Sequence, residues 1–585
     1  MCGIFGVIHD PNKQAAQTVL TGLKKLEYRG YDSWGIALKL DEENEVRIDK
    51  HIGKIGNATT SLPLGLIAIG HTRWATHGGV TDANAHPHLD CTKKIAVIHN
   101  GIVENYQELQ AELKQKNHLF ISETDTEVIS HLIEEELKTK PLFAATLAGF
   151  KKIVGSNAII VLSGETGEVV ICRNGSPLVL GITEKTIYLA SDATALLDKT
   201  TTVHFMDDDE AAHIDGTTVT LMSIATEQPK KLILKKIDWK AQAAEKDGFA
   251  HFTLKEINEQ KKTIPHALQK RSASLTAVVK LIQQGYKPTF IACGSASFCG
   301  LAATYLFADL GIDSANIGAY EYPPFAKLAS DKTLVFAISQ SGETADTILA
   351  VKEAKNRGAK IVGVINAQGT TLERLTDFNL SVEAGPEISV VSTKGFTAQL
   401  AIFFNLYGLL KKEAQQSFVS DFSQWIQEKQ LHEMVLECAK NLLKNEHLYI
   451  IGKYINYPCA LECALKLKET SYLHAESFAS GELKHGVLSL IQSGTPCMVL
   501  TAHDSTYKEV VSSAIELKSR GGYIIGVGPA NNVAFDHYIK TPDSGALYSI
   551  FYNVVVGQLL GYYVGVGRGT DPDKPRNLAK SVTVK

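Results

Sequence analysis

A cysteine at position 2 is the first residue that could do chemistry. Removal of Met1, which a small second residue normally allows, would leave Cys2 with a thiol and a free α-amine. The thiol is a nucleophile, and an α-amine with a pKa near about 7.7–8 can accept and return its proton. A cysteine by itself is more often a small apolar residue, so Cys2 predicts catalysis only together with its context.

A second candidate is the segment 339–344, SQSGET, which follows the apolar run TLVFAI. A turn from a strand into a helix directs backbone N–H groups and the positive end of the helix dipole toward an anion. Three hydroxyls and one amide add donors, so we predict a phosphate-binding loop. The alternative is ordinary helix capping by serine or threonine. The loop is not of the nucleotide-binding P-loop type, since no GKS or GKT follows.

Three charged residues, Glu462, Lys466 and Glu469, are spaced i, i+4 and i+7 in the segment ALECALKLKETSYLHAE. This spacing places them on one face of a helix. A solvated, salt-bridged surface is the usual meaning of such a pattern. Alanine, leucine and cysteine surround these charges, however, so we expect them to be partly buried and to serve a chemical purpose.

The elements that position these residues change in type along the chain. Up to residue 237, short apolar runs separated by turn signals predict an α+β domain with stacked sheets, with helices near residues 14–26 and 105–116. The polar segment 238–249 is typical of a linker. After it, strands and helices alternate, which predicts parallel, doubly wound α/β sheets.

The α/β pattern occurs twice. The runs TFIACG, TLVFAIS and KIVGVIN are matched by HLYIIG, PCMVLTAHDST and GGYIIGVG, at a distance of about 160 residues, which is the size of a domain. We therefore predict two copies of one domain, at residues 250–428 and 429–570. A polar segment, 571–585, follows them.

Composition and charge argue against several classes of protein. A net charge of −4, from 59 basic and 63 acidic residues, gives no basic surface for nucleic acid. Nine cysteines without CxxC pairs argue against a disulfide scaffold and a structural zinc site, and favour a reducing compartment. The first residues lack the features of a signal peptide, so we predict a cytoplasmic protein.

Residues 545–567 carry no charge and could nearly span a bilayer, but Asn553, Gln558 and several glycines favour a helix buried in a core.

An ordered set of motifs changes the interpretation of Cys2. MCGIFG is followed by LEYRGYDSWG, HTRWATHG, HNGIVEN and SETDTEV. This set resembles the glutaminase domain of the N-terminal-nucleophile amidotransferases, with its stacked sheets in an αββα arrangement. Together with two sugar isomerase domains in the second half, the whole chain resembles the isomerising glutamine–fructose-6-phosphate aminotransferase family, the glucosamine-6-phosphate synthases.

The resemblance implies an activity. Glutamine would be hydrolysed at Cys2, ammonia would pass internally, and D-fructose 6-phosphate would become D-glucosamine 6-phosphate, with L-glutamate as the second product. This reaction is the first step of amino-sugar (UDP-N-acetylglucosamine) synthesis. The family works as a homodimer and needs no cofactor and no metal.

The resemblance also implies residue roles at the glutamine site. Cys2 would attack the side-chain amide, and Asn100 with the backbone N–H of Gly101 would stabilise the oxyanion. Trp74 would lie near the ammonia passage. The glutamine-binding residues would be Arg73 for the α-carboxylate, Asp125 for the α-ammonium, Thr76 and His77. Nearby histidines have no cysteine or acid spacing for a metal, so we predict ordinary polar roles for His71, His77, His86 and His88.

At the sugar site, Glu469 would move a proton between C1 and C2 of the sugar, with Lys466 and Glu462 assisting. His485, donated by the neighbouring subunit, would open the sugar ring, and Lys580 would form an imine with the carbonyl. The implied sugar-phosphate ligands are Ser295, Ser339, Gln340, Ser341, Thr344 and Ser392. The family commonly has CGTS where this chain has Cys293-Gly294-Ser295-Ala296, so one hydroxyl is missing.

Three alternatives remain. A different amidotransferase could use the same glutaminase domain, such as the one that makes phosphoribosylamine. A paralogous amidotransferase could act on a different sugar phosphate. Isomerase-type domains also occur in non-enzymatic sugar-phosphate sensors, although the intact Cys2 motifs and the lack of a DNA-binding segment argue against a sensor.

Overall fold

The computed structural model describes residues 2–40, 43–237, 245–412 and 416–583. Met1, residues 238–244 of the predicted linker and the last two residues of the segment 571–585 lie outside these ranges. The described part of the chain forms one α+β region followed by two α/β regions, as the sequence predicts.

The amino-terminal region is built from antiparallel strands. Its strands are β1 (Gly3–Ile8), β2 (Ser33–Lys39), β3 (Val46–Ile52), β4 (Ile67–Arg73), β5 (His88–Leu89), β6 (Ile95–Gly101), β7 (Asn157–Ser163), β8 (Val169–Asn174), β9 (Val179–Ile182), β10 (Ile187–Ala190), β11 (Thr202–Phe205), β12 (Glu210–Asp215), β13 (Thr218–Ser223) and β14 (Lys235–Lys236). Its α-helices are α1 (Ala15–Leu26), α2 (Tyr106–Gln115), α3 (Glu127–Leu137) and α4 (Leu142–Phe150).

These strands form two stacked sheets in the order β14-β11-β9-β10-β1-β4-β2-β3 and β13-β12-β8-β7-β6-β5. Apolar side chains from both sheets, such as Ile4, Ile69, Ile98 and Ile160, fill the space between them. Helix α1 packs on the outer face of the first sheet, and α2, α3 and α4 pack on the second. Because both faces are covered, β1, β4 and β7 are buried along their whole lengths.

Helices α1 and α2 are predicted from the sequence, whereas α3 and α4 were not predicted. The signal was present: Val128, Ile129, Leu132 and Ile133 recur at helical spacing and are all buried in α3. The missed helices cover the second sheet and complete the αββα layers.

The first α/β region holds a parallel sheet. Its strands are β15 (Lys287–Ala292), β16 (Ala315–Gly318), β17 (Thr333–Ser339), β18 (Lys360–Ile365) and β19 (Phe378–Asn379). Its helices are α5 (Phe252–Gln269), α6 (Ala273–Gln283), α7 (Gly294–Asp309), α8 (Tyr322–Phe325), α9 (Ala345–Asn356), α10 (Thr371–Leu375), α11 (Lys394–Lys411) and α12 (Gln416–Trp425).

The second α/β region repeats this plan. Its strands are β20 (His447–Gly452), β21 (His474–Ala479), β22 (Pro496–Leu500), β23 (Tyr523–Gly528) and β24 (His537–Lys540). Its helices are α13 (Lys429–Leu442), α14 (Asn456–Ser471), α15 (Tyr507–Lys518) and α16 (Ser549–Gly567). Within each region the spatial order of strands is second, first, third, fourth, fifth. The same order in both sheets agrees with the predicted duplication.

This order creates a switch point in each sheet. The chain leaves β15 toward β16 on one side and returns to β17 on the other, with β15 between them. In open α/β sheets, ligands bind beyond the carboxyl ends of the strands at such a point. The segments after β15 and β17 contain Ser295 and residues 339–344, so the topology brings these two predicted sites to one edge.

Helix α16 is the uncharged segment that the sequence analysis singled out. Among the described residues it is the one helix long and apolar enough to cross a bilayer, and 83% of its apolar window is buried within the protein. Its polar residues bind inside the core: Asn553 Nδ2 donates to Asn456 Oδ1 at 2.8 Å, and Gln558 Oε1 accepts from Gln260 Nε2 at 2.7 Å. The contacts agree with the predicted core helix.

The carboxyl-terminal residues 571–583 connect the regions. Asp573 accepts hydrogen bonds from the backbone N–H groups of Phe252 and Thr253, at the start of α5. Tyr31 Oη, from the amino-terminal region, donates to the carbonyl oxygen of Leu578 at 3.0 Å. The carbonyl of Val582 accepts from the N–H of Ala345, the first residue of α9. This segment therefore contacts the amino-terminal region and two helices of the first α/β region.

Candidate active sites

Cys2 lies where β1 meets the end of β4. Gly3 pairs with Thr72 across the two strands, so Cys2 faces the residues that follow β4. The backbone N–H of Trp74 donates to Cys2 Sγ at 3.2 Å. Burial raises the pKa of the Cys2 thiol, although this N–H and the charge of Arg73 act to lower it. A protonated, buried thiol needs a base before it can attack, which is the role predicted for the α-amine.

Asn100 and Gly101 end β6 directly beside Cys2. Asn100 Nδ2 donates to the carbonyl oxygen of Cys2 at 3.0 Å. Gly101 has a φ of +142°, and a Cβ at this position would lie 2.2 Å from the carbonyl oxygen of Ser156. Only glycine fits there, so the backbone at this point can follow a path closed to other residues. The structure thus brings three residues of the predicted hydrolytic site together.

His71 orients the amide of Asn100. Its Nε2 lies 3.0 Å from the carbonyl oxygen of His99 and 3.1 Å from Asn100 Oδ1, both of which are acceptors. Nε2 therefore carries the proton and donates. Burial lowers the pKa of His71 to about 3, so the ring is neutral at physiological pH. The sequence analysis gave His71 only an ordinary polar role and missed this positioning contact.

The other buried histidines also have polar partners. His86 stacks on His71 with ring centroids 4.0 Å apart, and its Nδ1 accepts from the N–H of His99 at 3.3 Å. His88 Nε2 contacts Thr124 Oγ1 at 3.1 Å. Burial holds the pKa of His86 and of His88 well below the usual value. These neutral rings form a packed layer behind the Cys2 site.

The predicted glutamine-binding residues lie on two loops. Arg73 is buried, and its guanidinium donates to the carbonyl oxygens of His77, Gly78 and Gly79. Thr76 is exposed on the same loop, and its Oγ1 lies 3.4 Å from His77 Nδ1. Arg73 thereby holds the 76–79 loop in shape, a contact that the sequence analysis did not foresee.

Asp125 and Asp32 complete the surroundings of Cys2. Asp125 is buried, and its Oδ2 accepts from the N–H of Val103 at 2.7 Å, which ties the second loop to the end of β6. Asp32 Oδ2 accepts from the N–H of Ala75 at 2.8 Å and fixes the segment after Trp74. Asp32 belongs to the LEYRGYDSWG motif, whose purpose the sequence left open.

The loop 339–344 has the strand-to-helix geometry that the sequence predicts. Ser339 Oγ accepts from the N–H of Gly342 at 3.0 Å and contacts Thr344 Oγ1 at 3.0 Å. Ser341 Oγ accepts from the N–H of Glu343 at 3.2 Å. Gly342 has a φ of +64°, and a Cβ there would lie 2.2 Å from Thr370 Oγ1. The hydroxyls therefore gather on a tight turn at the amino end of α9.

Lys580 reaches this loop from the carboxyl-terminal segment. Its Nζ lies 2.6 Å from Glu387 Oε2, and both side chains are buried, with 6% and 0% of their surfaces exposed. The next residue, Ser581, donates through Oγ to Ser341 Oγ at 2.7 Å. Ser392 Oγ also donates to Glu387 Oε2, at 3.3 Å. The structure thus groups Lys580 with Ser341 and Ser392, around a carboxylate that the sequence analysis missed.

The electrostatics of Glu387 suit a cation partner. Burial alone raises the pKa of Glu387, but the charge of Lys580 and the N–H groups of Thr393 and Gly395 lower it below its usual value. Nearby Glu256 behaves in the opposite way. Burial and the charge of Glu387 raise the pKa of Glu256 to about 8. One carboxylate is thus ionised and the other is protonated at neutral pH.

Helix α14 carries the predicted charged face inward. Lys466 Nζ lies 2.7 Å from Glu469 Oε2 and 3.4 Å from Glu462 Oε1, and it donates to Ser295 Oγ at 3.1 Å. Lys466 and Glu462 are buried, which excludes the solvated-surface interpretation. Burial raises the pKa of Glu462 to about 7, although the charge of Lys466 acts to lower it. Ser295 therefore connects the first α/β region to this helix.

Ala296 and His485 lie apart from these contacts. Ala296 is half-buried and packs against apolar residues of the core. His485 is exposed at the end of a short 3₁₀ turn, residues 480–485. The exposed position of His485 fits a side chain that serves another molecule.

A cavity lies between the amino-terminal region and the first α/β region. Its lining residues from the first side include Arg29 and Asp192, and those from the second include Gln340, Ser341, Glu387 and Lys580. Arg173 Nη2 donates to Thr371 Oγ1 at 2.7 Å across the same boundary. The predicted sugar site therefore lies at the interface with the amino-terminal region.

Two family models match the chain. One describes a glutamine amidotransferase domain and covers residues 57–239. The other describes a SIS domain and covers residues 280–407 and 441–534. The second match falls on the two α/β regions, and the first falls on the region that contains Arg73, Asn100 and Asp125.

Curated relatives match over their full length. The glutamine--fructose-6-phosphate aminotransferase [isomerizing] of Thermococcus kodakarensis is 42% identical over 609 residues, with 100% of both chains covered. The protein of the same name from Pyrococcus horikoshii is 40% identical over 609 residues, again with 100% of both chains covered. A solved structure, the C-terminal domain of glucosamine-fructose-6-phosphate aminotransferase from Francisella tularensis, is 28% identical with a TM-score of 0.50 and covers 56% of this chain and 99% of that chain.

Proposed function

The chain belongs to the isomerising glutamine–fructose-6-phosphate aminotransferase family, and from this premise we propose how its residues divide the reaction. The protein is an enzyme that uses glutamine to aminate D-fructose 6-phosphate. Its products are D-glucosamine 6-phosphate and L-glutamate. Its amidotransferase and SIS domains supply the glutamine-dependent and sugar-dependent parts of this activity.

The first step is hydrolysis of glutamine at Cys2. The thiol attacks the amide carbon, and its proton passes to the α-amine exposed when Met1 is removed. Asn100 Nδ2 and the N–H of Gly101 donate to the oxyanion that develops on the amide oxygen. The C–N bond then breaks, and the nitrogen takes the proton and leaves as ammonia. Water hydrolyses the thioester to glutamate and restores the thiol.

Glutamine is bound through its α-carboxylate and its α-ammonium group. Arg73 presents a planar guanidinium for the α-carboxylate, and Asp125 presents a buried carboxylate for the α-ammonium. Thr76 and His77 close the loop over them. The backbone N–H of Trp74 donates to Cys2 Sγ, which places this residue beside the nucleophile, and we assign its indole to the ammonia passage.

The second step takes place on the sugar. Loop 339–344 binds the phosphate, with Ser295 and Ser392 as further ligands. Lys580 forms an imine with the carbonyl of the open-chain sugar and releases water, and ammonia then displaces the lysine amine to give the sugar imine. Glu469 moves a proton between C1 and C2, and Lys466, which pairs with both Glu469 and Glu462, holds its carboxylate in position. Glu387 keeps Lys580 in place between these groups.

The carboxyl-terminal segment is the single observation that carries this assignment. Tyr31 binds the carbonyl of Leu578, which anchors the segment to the glutamine-dependent region, two residues before Lys580. Ser581 binds Ser341 of the phosphate loop. Lys580 therefore lies in the cavity that the amino-terminal region and the first α/β region both line, where ammonia and sugar would meet.

We further propose a cytoplasmic homodimer that makes the precursor for amino-sugar synthesis. His485 is exposed in the described chain, and we assign its ring-opening role to the site of a second subunit. All nine cysteines are free, which fits a reducing compartment. We propose residues 1–237, 250–428 and 429–570 as the three domains, joined by the linker 238–249 and followed by the segment 571–585.

A product assay tests the proposal. The protein is incubated with glutamine and fructose 6-phosphate, and we expect glucosamine 6-phosphate and glutamate in equal amounts. Cys2→Ala should abolish this synthesis but retain slow conversion of fructose 6-phosphate to glucose 6-phosphate. If folded Cys2→Ala loses the isomerase activity as well, the division into two sites is wrong.

A second candidate, amination of a different sugar phosphate, rests on Ala296. The family hydroxyl is absent there, and the methyl group packs on the core. If the hydroxyl only adds a phosphate contact, Ala296→Ser should lower KM for fructose 6-phosphate by about tenfold or less and leave kcat unchanged, because the phosphate is remote from the reacting carbons. An unchanged or higher KM, together with faster turnover of another ketose phosphate by the wild-type protein, would favour the second candidate.

A further inference from the structure

Four side chains with metal-binding atoms converge in the amidotransferase domain, outside the residues assigned to glutamine. Cys91 lies in the turn between β5 and β6, His118 follows α2, and His131 and Glu134 lie one turn apart on α3. One donor atom from each of the four lies within 4.8 Å of the others. Sequence separations of 27 and 40 residues from Cys91 to the two histidines hide this cluster from any motif search.

The separations suit a tetrahedral ion. Cys91 Sγ lies 3.6 Å from His131 Nδ1 and 3.9 Å from His118 Nδ1. Glu134 Oε2 lies 3.0 Å from both of these nitrogens. Zinc bonds of about 2.3 Å to sulfur and about 2.0–2.2 Å to nitrogen and oxygen place tetrahedral ligands about 3.3–3.6 Å apart. Shifts of a few tenths of an ångström would therefore close the four atoms around one ion.

The surroundings of the ligands also have the pattern of a metal site. His118 directs its other nitrogen, Nε2, to Glu135 Oε2 at 3.1 Å, and His131 directs Nε2 to Glu127 Oε1 at 3.7 Å. The hydrogen bond to Glu135 fixes the His118 ring and raises its basicity as a ligand, and Glu127 lies behind His131 at ion-pair distance. The N–H of Leu119 donates to Cys91 Sγ at 3.5 Å, a contact that stabilises a thiolate.

We propose that Cys91, His118, His131 and Glu134 form a structural zinc site. Sulfur, nitrogen and oxygen donors in a tetrahedral set favour Zn²⁺ over Mg²⁺ or Ca²⁺, which prefer oxygen ligands at higher coordination number. One thiolate and one carboxylate neutralise the dication. Four protein ligands leave no open position, so the role is structural and not catalytic. The proposal revises our expectation from the cysteine pattern that no structural zinc site exists.

The site would fasten elements that lead to the glutamine pocket. Cys91 precedes β6, which ends at Asn100 and Gly101. His118 begins the loop that ends at Asp125, and Glu127 Oε2 accepts from the N–H of Ser122 within that loop. A bound ion would therefore hold the Asp125 loop, the turn before β6 and α3 to one another.

Cobalt substitution of the full-length protein tests the proposal. We expect purified wild-type protein to contain about one zinc per chain by atomic emission. After removal of zinc with a chelator, Co²⁺ alone is titrated in. Visible bands of tetrahedral cobalt and a near-ultraviolet thiolate charge-transfer band should saturate at one equivalent. Measurement in the Cys2→Ala background keeps the other reactive thiol out of the spectrum.

Variants identify the ligands. Cys91→Ser, at an exposed position that should not affect folding, should lose the charge-transfer band, and zinc should no longer raise its melting temperature. Glu135→Gln should weaken cobalt binding by about 10–100-fold, the effect of losing an outer partner of a ligand. His213→Gln is the matched control, because His213 pairs with Glu168 at 2.9 Å in the same domain, outside this cluster, and should bind cobalt like wild type. Failure of the wild type to bind cobalt, or an unchanged spectrum in Cys91→Ser, would overturn the site and leave an ion-pair network.

Discussion

At the scale of single residues, His71 controls the geometry of the oxyanion donor. His71→Ala should lower kcat for glutamine hydrolysis by up to about a hundredfold, since loss of the donor itself costs about 10²–10³. KM for glutamine should stay near wild type, because His71 acts through Asn100 and does not touch the substrate. Steady-state glutaminase kinetics measure the effect.

His71→Gln is the matched variant, because its side-chain amide can place an N–H near the position of the ring Nε2. It should recover most of the lost kcat. The pH profile should not change in either variant, since His71, with a pKa of about 3, is neutral throughout the working range. Equal losses in both variants would mean that His71 only fills space.

Glu387 is the second residue that the structure adds. Glu387→Gln leaves Lys580 buried without its counter-ion, a change that costs about 3–5 kcal/mol for buried pairs. We expect synthase activity to fall by more than tenfold while glutamine hydrolysis persists. The two activities are measured separately on the same preparation.

Glu383→Gln is the control, because this carboxylate pairs with Lys270 and His266 on the surface and should keep both activities. A parallel loss of hydrolysis in Glu387→Gln would count against the assignment.

At the scale of elements, helix α14 links stability to pH through Glu462. Its pKa is raised to about 7, so between about pH 4.5 and 7 the folded state holds a proton that the unfolded chain has lost. Stability contributed by this group is therefore present at low pH and is lost as the pH rises through that window. Urea unfolding at pH 5 and pH 8 should show a smaller loss of stability in Glu462→Gln than in wild type. An identical pH dependence in the two proteins would show that Glu462 titrates normally.

The same element explains why charge can be buried in α14. Lys466 forms ion pairs with Glu462 and Glu469 and donates a hydrogen bond to Ser295, so groups from two regions offset its buried charge. A spacing of i, i+4 and i+7 determines only that the three charges share a face. Packing of α14 against α16 and α7 decides that the face points inward.

At the scale of the whole molecule, the carboxyl-terminal segment couples the two chemistries. Truncation after Arg576 removes Leu578, Lys580 and Val582, and with them the contacts to Tyr31, Glu387 and Ala345. We expect no formation of glucosamine 6-phosphate, while some glutamine hydrolysis survives because Cys2 and Asn100 are untouched. Product analysis by chromatography distinguishes the two. Lys580→Ala in the full chain should reproduce the loss, and full synthase activity in the truncated protein would show that the segment is dispensable.

Much of the molecule follows from the sequence by itself. Short apolar runs between turn signals predicted β4, β6, β7, β15, β17 and β20, because a strand covered on both faces must be apolar along its length. The repeated order of elements predicted two α/β domains. The ordered motifs around Cys2, Arg73 and Asp125 indicated the family, since residues that touch one substrate must keep their types and order.

Tertiary structure alone decided which distant residues meet. Glu387 joins Lys580 from 193 positions away, and His118 joins Cys91 from 27 positions away. No local pattern marks such pairs, because the partners are chosen by how loops and helices pack and not by their neighbours in the chain. The shifted pKa values of His71 and Glu462 also depend on tertiary structure, because the fold must first exclude water from these side chains.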